Sequence, residues 1–174
     1  MTGKLLAGFI VVVGIGAGIL MYYLQVYAYY DEIPSDAAVV ELTMLDNTRE
    51  QIVVRDFEGI DSTSSPLRYR ACFEPVNSLA MLTETFPIYE KAVPLNAPDW
   101  FDCFNAQEIG AALENGTAIA FLGVFNFEYG FDRVVAVTED GRGFAWQQLN
   151  DCGEAYFNSD PLPNHCPLPP EEMN

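Results

Sequence analysis

Polarity divides the chain into two unlike parts. Residues 5–24 (LLAGFIVVVGIGAGILMYYL) hold 20 positions without a charge. At 1.5 Å per residue a helix of that length matches a hydrocarbon core of about 30 Å, so the run predicts one transmembrane helix. Beyond residue 30 the pattern becomes short alternating runs broken by turn residues. Residues 33–36 (IPSD) read as a turn, and residues 37–44 and 51–57, separated by Asp46-Asn47, read as a β-hairpin. A Ser-rich stretch over 61–66 reads as a loop, residues 67–73 (LRYRACF) as a third strand, and residues 78–86 as a short helix.

Residues 87–100 carry three prolines and predict a connecting loop. The clearest helix signal outside the anchor follows. Asn105 is the N-cap, Glu108 the return half of a capping box, Ile109, Ala112 and Leu113 form the apolar face, and Gly116 is the stop. Residues 118–125, 131–138 and 143–149 are three β-rich runs separated by turn residues, and a meander is the simplest arrangement. Residues 159–174 hold five of the chain's 11 prolines and read as a tail. The expected architecture is therefore α+β: one N-terminal transmembrane helix, then a mainly antiparallel sheet with one or two short helices. The expected divisions are an anchor at 1–30, a domain at 31–158 and a tail at 159–174.

Charge adds orientation. All 25 acidic residues lie at or after Asp31, against seven of the eight basic ones, so that segment carries a formal charge of −18. Such a surface repels phosphate backbones, which excludes nucleic acid as a partner and favours basic proteins or cations. Lys4 precedes the apolar run while Asp31, Glu32 and Asp36 follow it, so the positive-inside bias places the N-terminus in the cytoplasm and the domain outside. Tyr22, Tyr23, Tyr27, Tyr29 and Tyr30 cluster where the helix should leave the lipid. A cleaved signal peptide is the rival reading, with Val26-Tyr27-Ala28 as its weak site. The run is too long for a signal core, and tyrosines stand where a polar cleavage region belongs.

Cys72, Cys103, Cys152 and Cys166 all follow the anchor, and an even count in an exported domain reads as two disulfides. Their spacings of 31, 49 and 14 residues contain no C-x-x-C pair, so no zinc or thioredoxin-like motif is formed. Three pairings are open. Short-loop closure favours Cys72 with Cys103 and Cys152 with Cys166, the second pinning the Pro-rich tail.

Candidate chemistry is sparse. Gly14 and Gly18 form a G-x-x-x-G pair that would let a second helix approach closely, although glycine is common in membrane spans for other reasons. His165 is the single histidine, beside Cys166, and reads as a solvent-exposed tail residue with no catalytic partner. Carboxylate pairs such as Asp99 with Asp102 and Glu139 with Asp140 match no calcium loop and arise freely among so many acids. Asn115-Gly116-Thr117 is a formal glycosylation sequon already explained by the helix end. Arg68 and Arg70 are expected to form internal ion pairs. No cofactor or metal is expected, and the chain reads as a non-enzyme.

Several stretches together, GKLLAG, YYLQVYAYYDE (22–32), SPLRYRACF (65–73), WFDCF (100–104) and YGFDRVVAVTEDGRGFAWQQLNDCGE (129–154), resemble a small alphaproteobacterial family of unknown function whose members are single-span proteins of this length. The resemblance implies a bacterial inner-membrane protein with a periplasmic domain. Some members carry a histidine-kinase label, which this sequence contradicts: it has no phosphoacceptor histidine on a helix, no nucleotide-binding glycine box, and almost no chain ahead of the span to house either. Two functions follow as expectations. The first is a non-catalytic accessory or assembly subunit of an inner-membrane complex, within that class a respiratory complex whose basic c-type cytochrome the acidic domain would attract. The second is a tethered ligand- or peptide-binding module, suggested by Trp100, Phe101, Phe104, Phe125, Phe127, Tyr129, Phe131 and Trp146, most of which should still be core.

Overall fold

In the computed structural model, which describes residues 2–170, the uncharged run forms α1 (Thr2–Tyr23), continued by a π-helical turn over Leu24–Ala28. Its side chains from Gly3 to Tyr23 are all exposed, which makes this helix, apolar on every side, a candidate membrane span. Only Tyr29 and Tyr30 separate it from the first strand.

Eight strands follow: β1 (Asp31–Ile33), β2 (Val40–Thr43), β3 (Arg49–Ile52), β4 (Val54–Asp61), β5 (Arg70–Pro75), β6 (Ala118–Glu128), β7 (Phe131–Thr138) and β8 (Gly143–Leu149). Six make one antiparallel sheet in the order β1-β4-β5-β8-β7-β6, while β2 and β3 form a separate hairpin. Three short helices complete the domain: α2 (Leu79–Thr85), α3 (Ala106–Asn115) and α4 (Asp151–Asn158). The fold is thus the expected α+β arrangement, with three short helices rather than two. Both disulfides are present, Cys72–Cys103 with Cα atoms 6.2 Å apart and Cys152–Cys166 with 5.5 Å. Each closes a loop worth about 3 kcal/mol in the chain-entropy account.

The sheet is covered on both faces, which explains why β7 reads as an almost unbroken apolar run instead of alternating. On one side Ala71, Phe73, Phe121, Val135, Val137 and Ala145 meet the hairpin residues Val40, Leu42 and Ile52 together with Leu82 and Phe86. On the other, Cys72, Ala120, Val134, Ala136, Phe144 and Trp146 meet Phe101, Phe104 and Ile109. Trp146 and Phe121 are fully enclosed, and burying a side chain of that kind stabilises by about 1.5–3 kcal/mol. The Pro-rich loop behaves as a lid because Gln148 holds it down. Its side-chain oxygen accepts from the Val93 N–H (2.8 Å) and Trp146 Nε1 (3.1 Å), and its nitrogen donates to the Lys91 carbonyl (2.8 Å).

Local chemistry places α3 where its caps predict. Asn105 Oδ1 accepts from the N–H groups of Gln107 and Glu108, and Gly116 ends the helix at φ +80°, a conformation only glycine adopts freely. Ser78 caps α2 in the same way, accepting from Met81 N.

The structure corrects one expected element and adds two that the pattern left unassigned. The second hairpin run, 51–57, breaks at exposed Val53, so β3 stays with β2 while β4 joins the main sheet. Residues 31–33, set between anchor and turn, form the edge strand β1, pairing Asp31 with Asp61 and Ile33 with Gly59. Residues 151–158 form a helix that a glycine in its first turn concealed. Asn150 caps it through the Gly153 N–H (2.9 Å). That glycine is required by packing, because a Cβ on Gly153 would collide with the Gly130 carbonyl oxygen.

Candidate functional site

The junction between helix and domain concentrates the unusual chemistry. Trp100, at the end of the Pro-rich loop, donates its Nε1–H to the Val26 carbonyl at 2.7 Å, satisfying one of the acceptors that a helix end leaves open. Its ring stacks on Tyr27 (centroids 6.2 Å apart) and meets Tyr30 edge-on (5.9 Å), and Tyr23 also stacks on Tyr27. The interfacial tyrosines that the sequence singles out are therefore also the socket for the domain. Beside them, the Arg68 guanidinium stands 5.7 Å from the Tyr29 ring centroid and 5.3 Å from that of Tyr30. Its Nη1 is enclosed and has no hydrogen-bond acceptor among the described residues.

Neither arginine expected to form an ion pair does so in the manner foreseen. Arg70 is buried at the start of β5, and its guanidinium donates to four carbonyl bonds: Nε to Leu95 (2.8 Å), Nη1 to Leu67 (2.8 Å) and Tyr69 (2.6 Å), and Nη2 to Asn96 (3.0 Å). Desolvation lowers its pKa to about 10. Arg133 of β7 stands over the Tyr69 and Phe127 rings, 4.2 and 4.4 Å from their centroids, and with the Gln147 amide turned so that its oxygen faces the guanidinium, Nη2 donates to it at 2.9 Å. Asp61, half-buried, has its carboxyl raised above the ordinary range by desolvation, against the opposing pull of the Ser62 N–H and of Arg133 and Arg70.

A second polar cluster ties the β6–β7 turn to α4. Asp132 is buried, and it accepts from the Asn126 N–H (2.9 Å), Asn150 Nδ2 (2.6 Å) and the Tyr89 hydroxyl (3.0 Å). Asn126 in turn accepts from the Gly130 N–H and Asn150 Nδ2. Burial pushes the Tyr89 phenol up, with Asp132 adding to the shift. Every group here is engaged in holding chain segments together, so the cluster is a staple between three elements.

The sequence candidates are scattered. Gly14 and Gly18 share one face of α1, where an added Cβ would meet nothing within 4 Å. His165 is exposed beside the Cys152–Cys166 bridge, its ring nitrogen within 4.8 Å of both sulfurs, but the sulfurs are bonded to each other and offer no thiolate. Asp140 pairs with Arg142 (2.9 Å), and Asp102 lines a groove. Asn115 accepts from the N–H and hydroxyl of Thr117, so the sequon residues are folded on one another. Phe101, Phe104 and Trp146 are core, whereas Phe125 and Phe127 are exposed.

That groove, about 720 Å³, runs beside the junction between edge strand β1, the facing part of β4 and residues 100–103, and Glu32, Glu58 and Asp102 line it. Sequence reasoning missed both groove and socket, because they join residues far apart in the chain, up to 74 positions for Trp100 and Val26. Trp100 was the one available signal.

Fold and junction together define a class: a disulfide-bonded antiparallel α+β domain mounted on a single apolar helix. Residues 40–167 match the model of a family of unknown function, DUF6446, and the chain belongs to that family. The match begins beyond the helix and its tyrosines, and it includes Trp100 and Arg68. No curated protein and no solved structure matches the chain.

Proposed function

We propose that this protein is a non-catalytic accessory or assembly subunit of a bacterial inner-membrane complex, with α1 in the bilayer and the acidic domain in the periplasm. Within that class a respiratory complex that uses a basic c-type cytochrome fits best. The observation that carries the reading is the Trp100 socket: a domain fixed to its anchor by an indole–carbonyl bond and stacked rings is suited to present a surface at constant height and orientation. A tether meant to search for diffusing ligands has no use for such a mount. The charge of −18 supplies long-range attraction for a basic partner, and Arg70 and the buried carboxylate of Asp132, which in other proteins would suggest chemistry, are occupied with structural bonds.

Gentle solubilisation of membranes containing the tagged chain, followed by sizing, tests this. Co-migration with a larger set of membrane proteins supports it, and a lone small monomer defeats it. The groove beside β1 favours a second reading, a basic peptide or small ligand held by Glu32, Glu58 and Asp102. A thermal-shift screen that finds a reproducible stabiliser in the absence of any complex would turn the argument that way.

A further inference from the structure

Strand pairing defines which end of the domain faces the anchor. Asp31 begins β1 and pairs with Asp61, Ile60 with Arg70, Arg70 with Trp146, Phe131 with Leu149, and Glu128 with Phe131. The end of β4, the start of β5, the end of β8, the β6–β7 turn and the α4 that follows β8 therefore all lie at the end of the sheet where the chain arrives from α1. Only Tyr29 and Tyr30 connect the last helical residue to β1. Three peptide steps reach at most about 10 Å, so this end of the sheet cannot stand far from the helix terminus.

Exposed side chains are sorted along the same axis. Among the described residues beyond α1 the exposed phenylalanines are Phe125 (40%), Phe127 (42%) and Phe157 (59%), and all three sit at this end, two on the last turns of β6 and one on α4. Leu149, at the end of β8, is 41% exposed beside them. At the opposite end, where β4 begins and β5 finishes, the exposed apolar residues include Val53, Val76 and, in the adjoining α2, Met81, and among the described residues no phenylalanine is exposed there. The headgroup level itself favours the amphipathic rings of Tyr and Trp, as at Tyr22 to Tyr30, while large apolar side chains such as Phe and Leu sink into the headgroup–acyl boundary where a surface lies on a bilayer. Two of the rings are packed, Phe157 against Phe131 and Phe127 against the Arg133 guanidinium, and α4 approaches the β6–β7 turn closely where Gly153 meets Gly130. Arg68 adds a cation at the same level, standing over Tyr29 and Tyr30 with an unanswered Nη1.

We infer that this end of the domain is a second membrane contact, in which Phe125, Phe127 and Phe157 enter the interfacial layer of the outer leaflet and the domain rests on the bilayer instead of standing clear of it. The occupant is the zwitterionic lipid surface, since Asp31, Glu128 and Glu154 at the same end disfavour anionic headgroups. The inference rests on α1 spanning the bilayer, and it leaves the opposite end and the β1 groove free for protein partners.

The test uses the full chain reconstituted in phosphatidylcholine–phosphatidylethanolamine vesicles, spin-labelled through single cysteines. All four native cysteines are disulfide-bonded and do not compete for the label. Labels replace Phe125, Phe157, Val53 and Val76, all exposed positions, and a fifth label at Ile15 reports on the span. The expected result is a several-fold lower collision rate with a water-soluble nickel chelate, and a higher one with oxygen, at 125 and 157 than at 53 and 76. Equal nickel accessibility at the two ends, with Ile15 in lipid, overturns the contact and spares the span. A water-exposed label at Ile15 overturns the span itself. Low accessibility to both oxygen and nickel at 125 and 157 means that protein covers them, which also overturns the contact.

Discussion

If the Trp100 socket fixes the domain on its helix, then weakening it should convert one orientation into many while leaving the domain folded. The structure sets the scale. The bond from Nε1 to the Val26 carbonyl is worth about 1 kcal/mol net. The ring contacts with Tyr27 and Tyr30 contribute about 0.5–1.5 kcal/mol each. Trp100→Ala therefore removes about 3 kcal/mol of docking free energy, which multiplies the undocked fraction by about a hundred. Trp100→Phe keeps a ring against both tyrosines and forfeits the indole bond, so its effect should be about tenfold or less. Pulsed dipolar spectroscopy between labels at Gln25 and Thr63, both exposed, reads this as the width of the distance distribution. The wild type should give one narrow peak, Trp100→Phe a slightly broadened one, and Trp100→Ala a wide distribution, with the thermal midpoint of the domain little changed. An equally narrow distribution in Trp100→Ala would show that the two linking residues and β1 alone hold the orientation, and the argument for a rigid mount through Trp100 would fail.

Asp132→Ala should destabilise the domain by about 2–4 kcal/mol in denaturant titrations, because it strands the Asn126 N–H and the Tyr89 hydroxyl, whereas Asp132→Asn keeps an acceptor and should cost about 1 kcal/mol; equal losses would show that the acceptor role is not what matters. The raised Asp61 carboxyl binds its proton more tightly in the folded state, so its contribution to stability falls as pH rises from the ordinary carboxylate range through the raised folded value. Asp61→Asn should remove that slope and gain most over wild type near neutrality, and a difference curve flat with pH would refute the desolvation account. Replacing Gly14 and Gly18 together with Leu should leave insertion intact and abolish co-purification of any partner helix packed on that face, while unchanged co-purification would leave the glycines lipid-facing.

What the sequence disclosed follows the range over which each interaction acts. The apolar N-terminal helix, α3 with its Asn105 and Gly116 caps, and the meander of β6, β7 and β8 depend on neighbours within a few residues, and their patterns predict them closely. Disulfide pairing was legible for a similar reason, since sequential cysteines close short loops. Failures lie where tertiary packing outweighs local preference. Val53 looks like the middle of a strand and is instead the point where the chain passes from hairpin to sheet. Gly153 looks like a helix breaker and is there because Gly130 needs the space. Arg70 in an acidic domain suggests a carboxylate partner, yet burial places it among carbonyls supplied by residues 67, 69, 95 and 96.

The fate of the arginines bears on how the domain meets a partner. Of its seven basic residues, Arg68, Arg70 and Arg133 spend their charge on rings, carbonyls and an amide. Salt bridges among the described residues involve only Arg49, Lys91 and Arg142, each a largely exposed cation whose pair is worth about 0–1 kcal/mol. Most of the carboxylates among the described residues therefore have no cation beside them, and the negative field of the domain is not cancelled by its own cations. Fields of this kind act over the Debye length, about 8–10 Å at physiological salt, so they speed encounter with a basic protein more than they strengthen the complex once formed. A domain held at fixed height by Trp100 would add a constant geometry to that attraction. Association should then slow steeply as salt is raised, while dissociation changes little, because the contacts that hold the partner are short-range and those that bring it are not.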